Sequence, residues 1–304
     1  MAKGRLAKLI GKKKAKPGKT AAKPTAAKGK KVKRKAAPKS HAKVQSKEQG
    51  KAAPAPHKAG VPEGWEGGDQ PPEHVSSGPK ALREIASEDL ERTLEAHREW
   101  IATKSQGGVR AELARTNLRE SYLQGALLRG ADLRECNLQK AELQNADLFM
   151  ADLRKADLLE AQLQKAVLKK AKLEGASLFG ARLEQAQLEA AALPGVDLRE
   201  ADLREAILNH ADLNHASLRD ANLFMAEAQE TDLSGAHLDG ADLKGADLMG
   251  ANLSKARLRG AKMQGVELVG TDLRGADLMD ATGLTRDDLE EAITDEDTKL
   301  PLEL

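Results

Sequence analysis

The sequence predicts an all-β solenoid, a β-helix of square coils flanked by short cap helices. Three observations predict it. From Ala111 to Asp280 a leucine recurs at every fifth position, giving 34 quintets of which 32 are centred on Leu. The residue two before each centre is always small, Ala in 27 quintets. The whole chain of 304 residues holds only six aromatic residues, so this ladder must supply the core.

A period of five suits neither ordinary element. Five helical steps of 100° carry a side chain round by 140°, and five is odd, so a strand would send alternate leucines to opposite faces. If the chain instead turns a quarter circle per quintet, Leu and the small residue before it point inward together. Four quintets then close one coil, and coils stack with backbone pairing at about 4.8 Å. Each coil buries four leucines, worth roughly 6–12 kcal/mol before entropy is subtracted. The small residues are needed because a larger side chain would collide in so narrow a tube. Glycine recurs at the last quintet position in the C-terminal half (Gly235, Gly240, Gly245, Gly250), which predicts more regular corners there.

The remaining segments follow in order. Residues 1–60 hold 20 Lys/Arg and one Glu among Ala, Pro and Gly, too few apolar groups to offset ordering the backbone, and read as a disordered basic tail. Residues 61–79 carry eight Pro or Gly and read as a linker. Residues 80–110 read as a cap: Leu90, Leu94, Trp100 and Ile101 suggest an amphipathic helix from about Lys80 to Lys104, stopped by Gly107 and Gly108. A helix there covers the exposed end of the first coil, since terminal repeats need capping. The repeats occupy 111–283. Residues 284–304 read as a second cap helix and tail, with Thr285 and Asp288 as a capping box and Leu289, Ala292 and Ile293 as its apolar stripe.

The net charge of +2 hides a tail of +19 joined to a repeat-and-exit region of −13. Such asymmetry accompanies contact with polyanions. One cysteine, Cys136, allows no intramolecular disulfide, consistent with a reducing, cytoplasmic setting. The N-terminus lacks the apolar stretch of a signal peptide.

The units ADLRE, ADLLE, ADLKG, ADLMG and ANLSK resemble the pentapeptide repeat family, whose unit reads A(D/N)LXX. The resemblance covers Ala111 to Asp280. It implies a right-handed quadrilateral β-helix, in a bacterial setting judged also by the flanks LEAHREWIATKSQGGVRAEL and ATGLTRDDLEEAITDEDTKLP. It implies no single activity. Members that confer quinolone or peptide-antibiotic resistance mimic duplex DNA and engage type II topoisomerases, usually as acidic dimers. This repeat region has 21 Lys/Arg against 28 Asp/Glu, never places Phe at a quintet centre, and follows a Lys-rich arm that is not part of the family pattern.

No catalytic residue, cofactor, metal or small-molecule substrate is expected, because a filled tube offers no pocket for a catalytic pair. Lys12, Lys13, Lys14, Lys16, Lys31, Lys33, Arg34 and Lys35 are the expected phosphate contacts, acting by counterion release. No aromatic residue interleaves with them, so the binding is expected to be non-specific for sequence. Anionic membrane is the other polyanion such an arm suits. His210 and His215 occupy equivalent places in successive quintets that face different sides, so they read as surface rather than as a metal pair. Cys136 takes an inward small position and reads as a structural thiol. The Asp before Leu reads as turn chemistry, bonding nearby backbone.

Phe149 with Met150 and Phe224 with Met225 point outward and mark a candidate partner or homodimer surface. They belong to quintets 8 and 23 and therefore to different sides. The expected function is a scaffold whose tail tethers the acidic solenoid to nucleic acid, nucleoid-associated, while the solenoid engages a protein. A gyrase-protecting DNA mimic is the first alternative and a membrane-surface adaptor the second.

Overall fold

The computed structural model describes residues 81–302; the basic tail of 1–60, with all eight expected phosphate contacts, and the linker of 61–79 lie outside the described residues. From Glu112 onward each quintet contributes one residue that pairs in parallel with the residue twenty positions on: Glu112 with Asp132, Asn117 with Asn137, and so on to Lys262 with Thr282. Twenty residues per coil is four quintets per coil. Five residues leave room for a single bridging residue on each side before the next turn, so the sides are isolated bridges rather than strands.

The hydrogen bonding of one quintet explains its grammar. In Ala151–Asp152–Leu153–Arg154–Lys155 the Asp152 N–H donates to Ala131 O of the coil before, and Leu153 and Lys155 donate to Lys172 O and Glu174 O of the coil after. The next Ala156 N–H turns back to Leu153 O. One donor, the N–H of Arg154, has no place in this ladder, and Asp152 Oδ1 accepts it at 3.3 Å. The same two-residue reach recurs at Asp147, Asp197, Asp232, Asn252 and Asp272. The (D/N) of the repeat thus satisfies the one amide that the coil leaves over.

Inside, the central leucines from Leu113 to Leu278 are at most 1 % exposed, and the small residues beside them form the other half of the core. In the first coil Ser121 Oγ donates to Leu118 O and Thr116 Oγ1 accepts from Arg83. Once an earlier coil lies behind them, polar residues at the small position are accommodated by one rule. Cys136 Sγ donates to Leu113 O, Thr231 Oγ1 to Leu208 O and Thr271 Oγ1 to Leu248 O, each a carbonyl 23 residues earlier. Burial pushes the Cys136 thiol up to about 11, so it is a buried, inert filler.

The fifth residue of every quintet is left-handed. Thirteen of these are glycine and 21 are not, yet the non-glycine φ values of 53–62° sit beside glycine values of 62–72°. The expectation of more regular corners in the C-terminal half is therefore corrected: stacking imposes one corner throughout, and glycine only lowers its cost.

Helix α1, Ser87–Ala102, caps the first coil. It is shorter than expected, because residues 81–86 are extended: Arg83 N–H donates to Arg115 O and Asn117 N–H to Arg83 O, adding a rung beneath the second quintet. The buried face of α1 is Leu90, Leu94 and His97; Trp100 and Ile101, expected to join it, are partly exposed. At the other end Thr285 begins α2, Arg286–Glu291, with the full capping box to Asp288. The expected stripe is only partly on this helix: Leu289 lies on it and, with Ala292 just past its end, packs against the core. Ala292 and Ile293 follow its end, Ile293 is exposed, and its backbone pairs with Asp272. A regular coil would have placed residue 292 there; α2 shifts the phase by one. Lys299 then pairs with Asp277, so the exit continues the stack where a loose tail was expected.

Candidate interaction surface

Because the interior is filled, function must lie on the sides or at the caps. The first side begins with the quintet of Ala111, the second with Thr116, the third with Ser121 and the fourth with Ala126, and each recurs every twenty residues. The second, fourth and fifth residues of the quintets point outward, and of these Asp132 alone is buried.

Many of these are tied up within their own side. Arg134, Arg154, Arg199 and Arg274 each clasp the Asp two residues before them through both Nε and Nη2. The clasp holds the Asp132, Asp152, Asp197 and Asp272 carboxyls below the usual carboxylate range. The arginines are about half exposed and the carboxylates lie beneath them, so these are surface pairs, each worth little to stability. They do flatten the guanidinium against the coil. On the second side Arg219 and Arg257 flank Asp239 at 3.7 and 3.4 Å, beside His237, whose pKa is lowered by burial and then by the two guanidiniums.

Phe149 and Met150 lie on the fourth side and Phe224 and Met225 on the adjoining third, so the coil does not bring the two pairs onto one side. Phe149 is partly covered by the Arg129 guanidinium, 4.9 Å from its ring centre. Met150 is 56 % exposed, Phe224 43 % and Met225 51 %. A cleft of about 240 Å³ joins Phe149 and Met150 to Trp100, Ile101 and Lys104 at the end of α1, which accounts for the two cap residues that stay out of the core. His210 pairs with Glu230 at 3.2 Å on the fourth side, while His215 covers Gly235 on the first. Among the described residues no group of His, Cys, Asp and Glu is assembled to hold a metal. None of their helices is long and apolar enough to cross a membrane.

Leu127, Met249 and Val269, exposed apolar residues that the sequence reading missed, share one side with Met150. Of the six large apolar residues exposed within the repeats, Leu127, Met150, Met249 and Val269 are all on the fourth side. The signal was a twenty-residue spacing, the same four-quintet coil that sets Phe149 and Phe224 on different sides.

The model of pentapeptide repeats matches eight copies over residues 111–148, 150–185, 181–220, 216–254, 229–265 and 256–282. The chain belongs to the pentapeptide repeat family. The repeat core is thus a right-handed β-helical solenoid, as membership implies. Family members of this kind are generally structural or interaction proteins and not enzymes. Among solved structures the chain is similar to HetL, a pentapeptide repeat protein involved in heterocyst differentiation regulation from the cyanobacterium Nostoc sp. strain PCC 7120. Identity is 36 %, over 63 % of this chain and 81 % of HetL, with a TM-score of 0.46. A pentapeptide repeat protein of the Arabidopsis thaliana thylakoid lumen is also 36 % identical, over 32 % of this chain and 66 % of that one, at a TM-score of 0.31. QnrB1, a plasmid-mediated fluoroquinolone resistance protein, is 18 % identical over 55 % of this chain and 85 % of its own, at a TM-score of 0.36. No curated protein matches the chain.

Proposed function

We propose that this pentapeptide repeat protein is a non-enzymatic scaffold, in which the cationic segment 1–60 tethers the solenoid to nucleic acid and the solenoid's sides present a surface to a protein. One observation carries the reading: 20 Lys/Arg against one Glu in sixty residues, ahead of a repeat region whose own interior is closed by leucine. Lys12, Lys13, Lys14, Lys16, Lys31, Lys33, Arg34 and Lys35 supply charge without aromatic neighbours, which suits phosphate contact by counterion release and not base readout. The solenoid supports the second half of the reading by offering clasped, flat sides in place of a catalytic pocket.

The test is duplex-DNA binding by fluorescence anisotropy across a salt series, for the full chain and for a variant lacking residues 1–60. Binding by the full chain alone, falling steeply as salt rises, supports the tether. Binding by neither sinks it, and anionic vesicles and topoisomerase protection become the assays that discriminate the adaptor and DNA-mimic readings.

A further inference from the structure

The cleft at the end of α1 has apolar walls and a basic rim. Trp100 and Ile101 form one wall, Phe149 and Met150 the other. Both aromatic rings are held in place, Trp100 by its stack on His97 and Phe149 by the Arg129 guanidinium. Lys104 lies on the rim beside α1, and Lys170 stands one coil beyond Met150 at the same corner. Among the described residues neither ammonium makes an ion pair. The nearby carboxylates are already engaged: Asp147 by Arg129 at 2.9 Å, Asp132 by Arg134 and Asp152 by Arg154. Three carbonyls at the end of α1 are also taken, Glu99 O by Thr103 N–H, Trp100 O by Ser105 N–H and Ile101 O by Lys104 N–H, so the helix end adds little negative character to the rim.

We infer that this cleft docks an acidic peptide segment of a partner protein. One large apolar side chain of the segment enters between Trp100 and Phe149, and its carboxylates meet Lys104 and Lys170. The cleft's volume of about 240 Å³ is below the roughly 300–1,000 Å³ of a small-molecule site and suits a single anchoring side chain. Its walls are already set by the His97 stack and the Arg129 contact, so little ordering is left for the partner to drive.

An acidic segment is the occupant because the free charges at the cleft are cationic and its walls are apolar. An anionic membrane matches the charge but not the shape, since interfacial apolar groups protrude into lipid and these enclose a recess. Beyond the cleft the fourth side turns acidic: from Gln187 to Gly270 it carries Glu189, Glu227, Glu230, Asp247 and Glu267 and no Lys or Arg. An acidic segment is repelled there, which confines it to the cap end. The inference rests on the reading that the solenoid presents a surface to a protein, and on no residue of 1–60.

Selection of a random peptide library on the full chain tests it, followed by fluorescence anisotropy of the winning peptides. The winners are expected to share one Trp, Phe, Leu or Met flanked by Asp or Glu. Met150→Asp, at an exposed left-handed corner that Asp tolerates, is expected to keep the melting temperature and weaken them by about tenfold or more. Lys170→Glu is expected to weaken them severalfold at low salt and less at high salt, as a change of rim charge does. Acidic peptides attracted only by the basic tail ignore both variants. Winners that all ignore both overturn the inference and leave the scaffold reading standing. A basic consensus, or none, also overturns it, as does Met150-dependent binding of anionic vesicles in place of peptides.

Discussion

His97 Nδ1 accepts a hydrogen bond from the backbone N–H of Ala111 at 3.1 Å, joining the buried face of α1 to the first residue of the first quintet. The ring is fully buried and stacks on Trp100 with centroids 5.4 Å apart. An imidazole that accepts at Nδ1 must carry its proton on Nε2, and a second proton would break the contact that holds the cap.

Burial lowers the pKa of His97, outweighing the opposing pull of the Arg129 carbonyl. Neutral His97 therefore stabilises the fold above the ordinary histidine value of about 6.5, and that contribution is lost as the pH falls through the depressed folded value. In a Trp65→Phe background, Trp100 fluorescence is expected to report cap release in this acid range. His97→Phe should remove the acid sensitivity while leaving Ala111 N–H unsatisfied, at about 1–3 kcal/mol of stability at neutral pH. An unchanged acid transition in that variant would assign it to other groups.

Gly108 and Gly260 share a left-handed φ, 71° and 66°, but not their surroundings. A Cβ on Gly108 would lie against Ala96 O and 2.5 Å from Trp100 N, both backbone atoms of α1. A Cβ on Gly260 meets nothing within 4 Å. Gly108→Ala is expected to undock the cap, costing at least about 3 kcal/mol, and Gly260→Ala to cost only the conformational penalty of about 1 kcal/mol. Equal losses in thermal melts would show that α1 adjusts around the new methyl.

Lys165 is a left-handed corner, φ 60°, occupied by a side chain that gains nothing from it. Glycine there escapes a penalty of about 1–2 kcal/mol and gives back roughly 0.5–1 kcal/mol in unfolded-chain entropy. Lys165→Gly is expected to raise stability by about 0.5–1 kcal/mol in urea titration; a loss would mean that the corners are unstrained.

Ala228 stands where 32 other quintets have Leu, and is 1 % exposed. Ala228→Leu is expected to stabilise by about 1–3 kcal/mol by restoring the missing rung, against a cost of about 2–5 kcal/mol for Leu208→Ala one coil earlier. Destabilisation by Ala228→Leu would show that the tube has closed around the alanine.

Much of the fold was legible because the repeat is locally redundant. A five-residue period with Leu and a small residue two apart excludes helix and strand on geometry alone, and four quintets per coil followed from it. The Asp of ADL was legible as turn chemistry, and Thr285 with Asp288 as a helix start, because each reaches only two or three residues along the chain. What failed involved longer reach. Arg83 left the helix for a rung because Asn117, 34 positions away, offered it a partner, and Ile293 left α2 to pair with Asp272. His97 was unreadable as core because a polar ring is buried only when a specific donor, here Ala111 N–H, meets it.

The sequence by itself determined the coil, its leucine core and the charge contrast between tail and body, since all of these rest on spacing and composition within a few residues. Only the tertiary structure decided that every corner is left-handed whether glycine or not. It also decided that α1 docks through a histidine, and that four of the six exposed apolar residues of the repeats lie on one side. Those outcomes depend on stacking, which brings residues twenty positions apart into register, so that a residue's neighbours outweigh its own conformational preference.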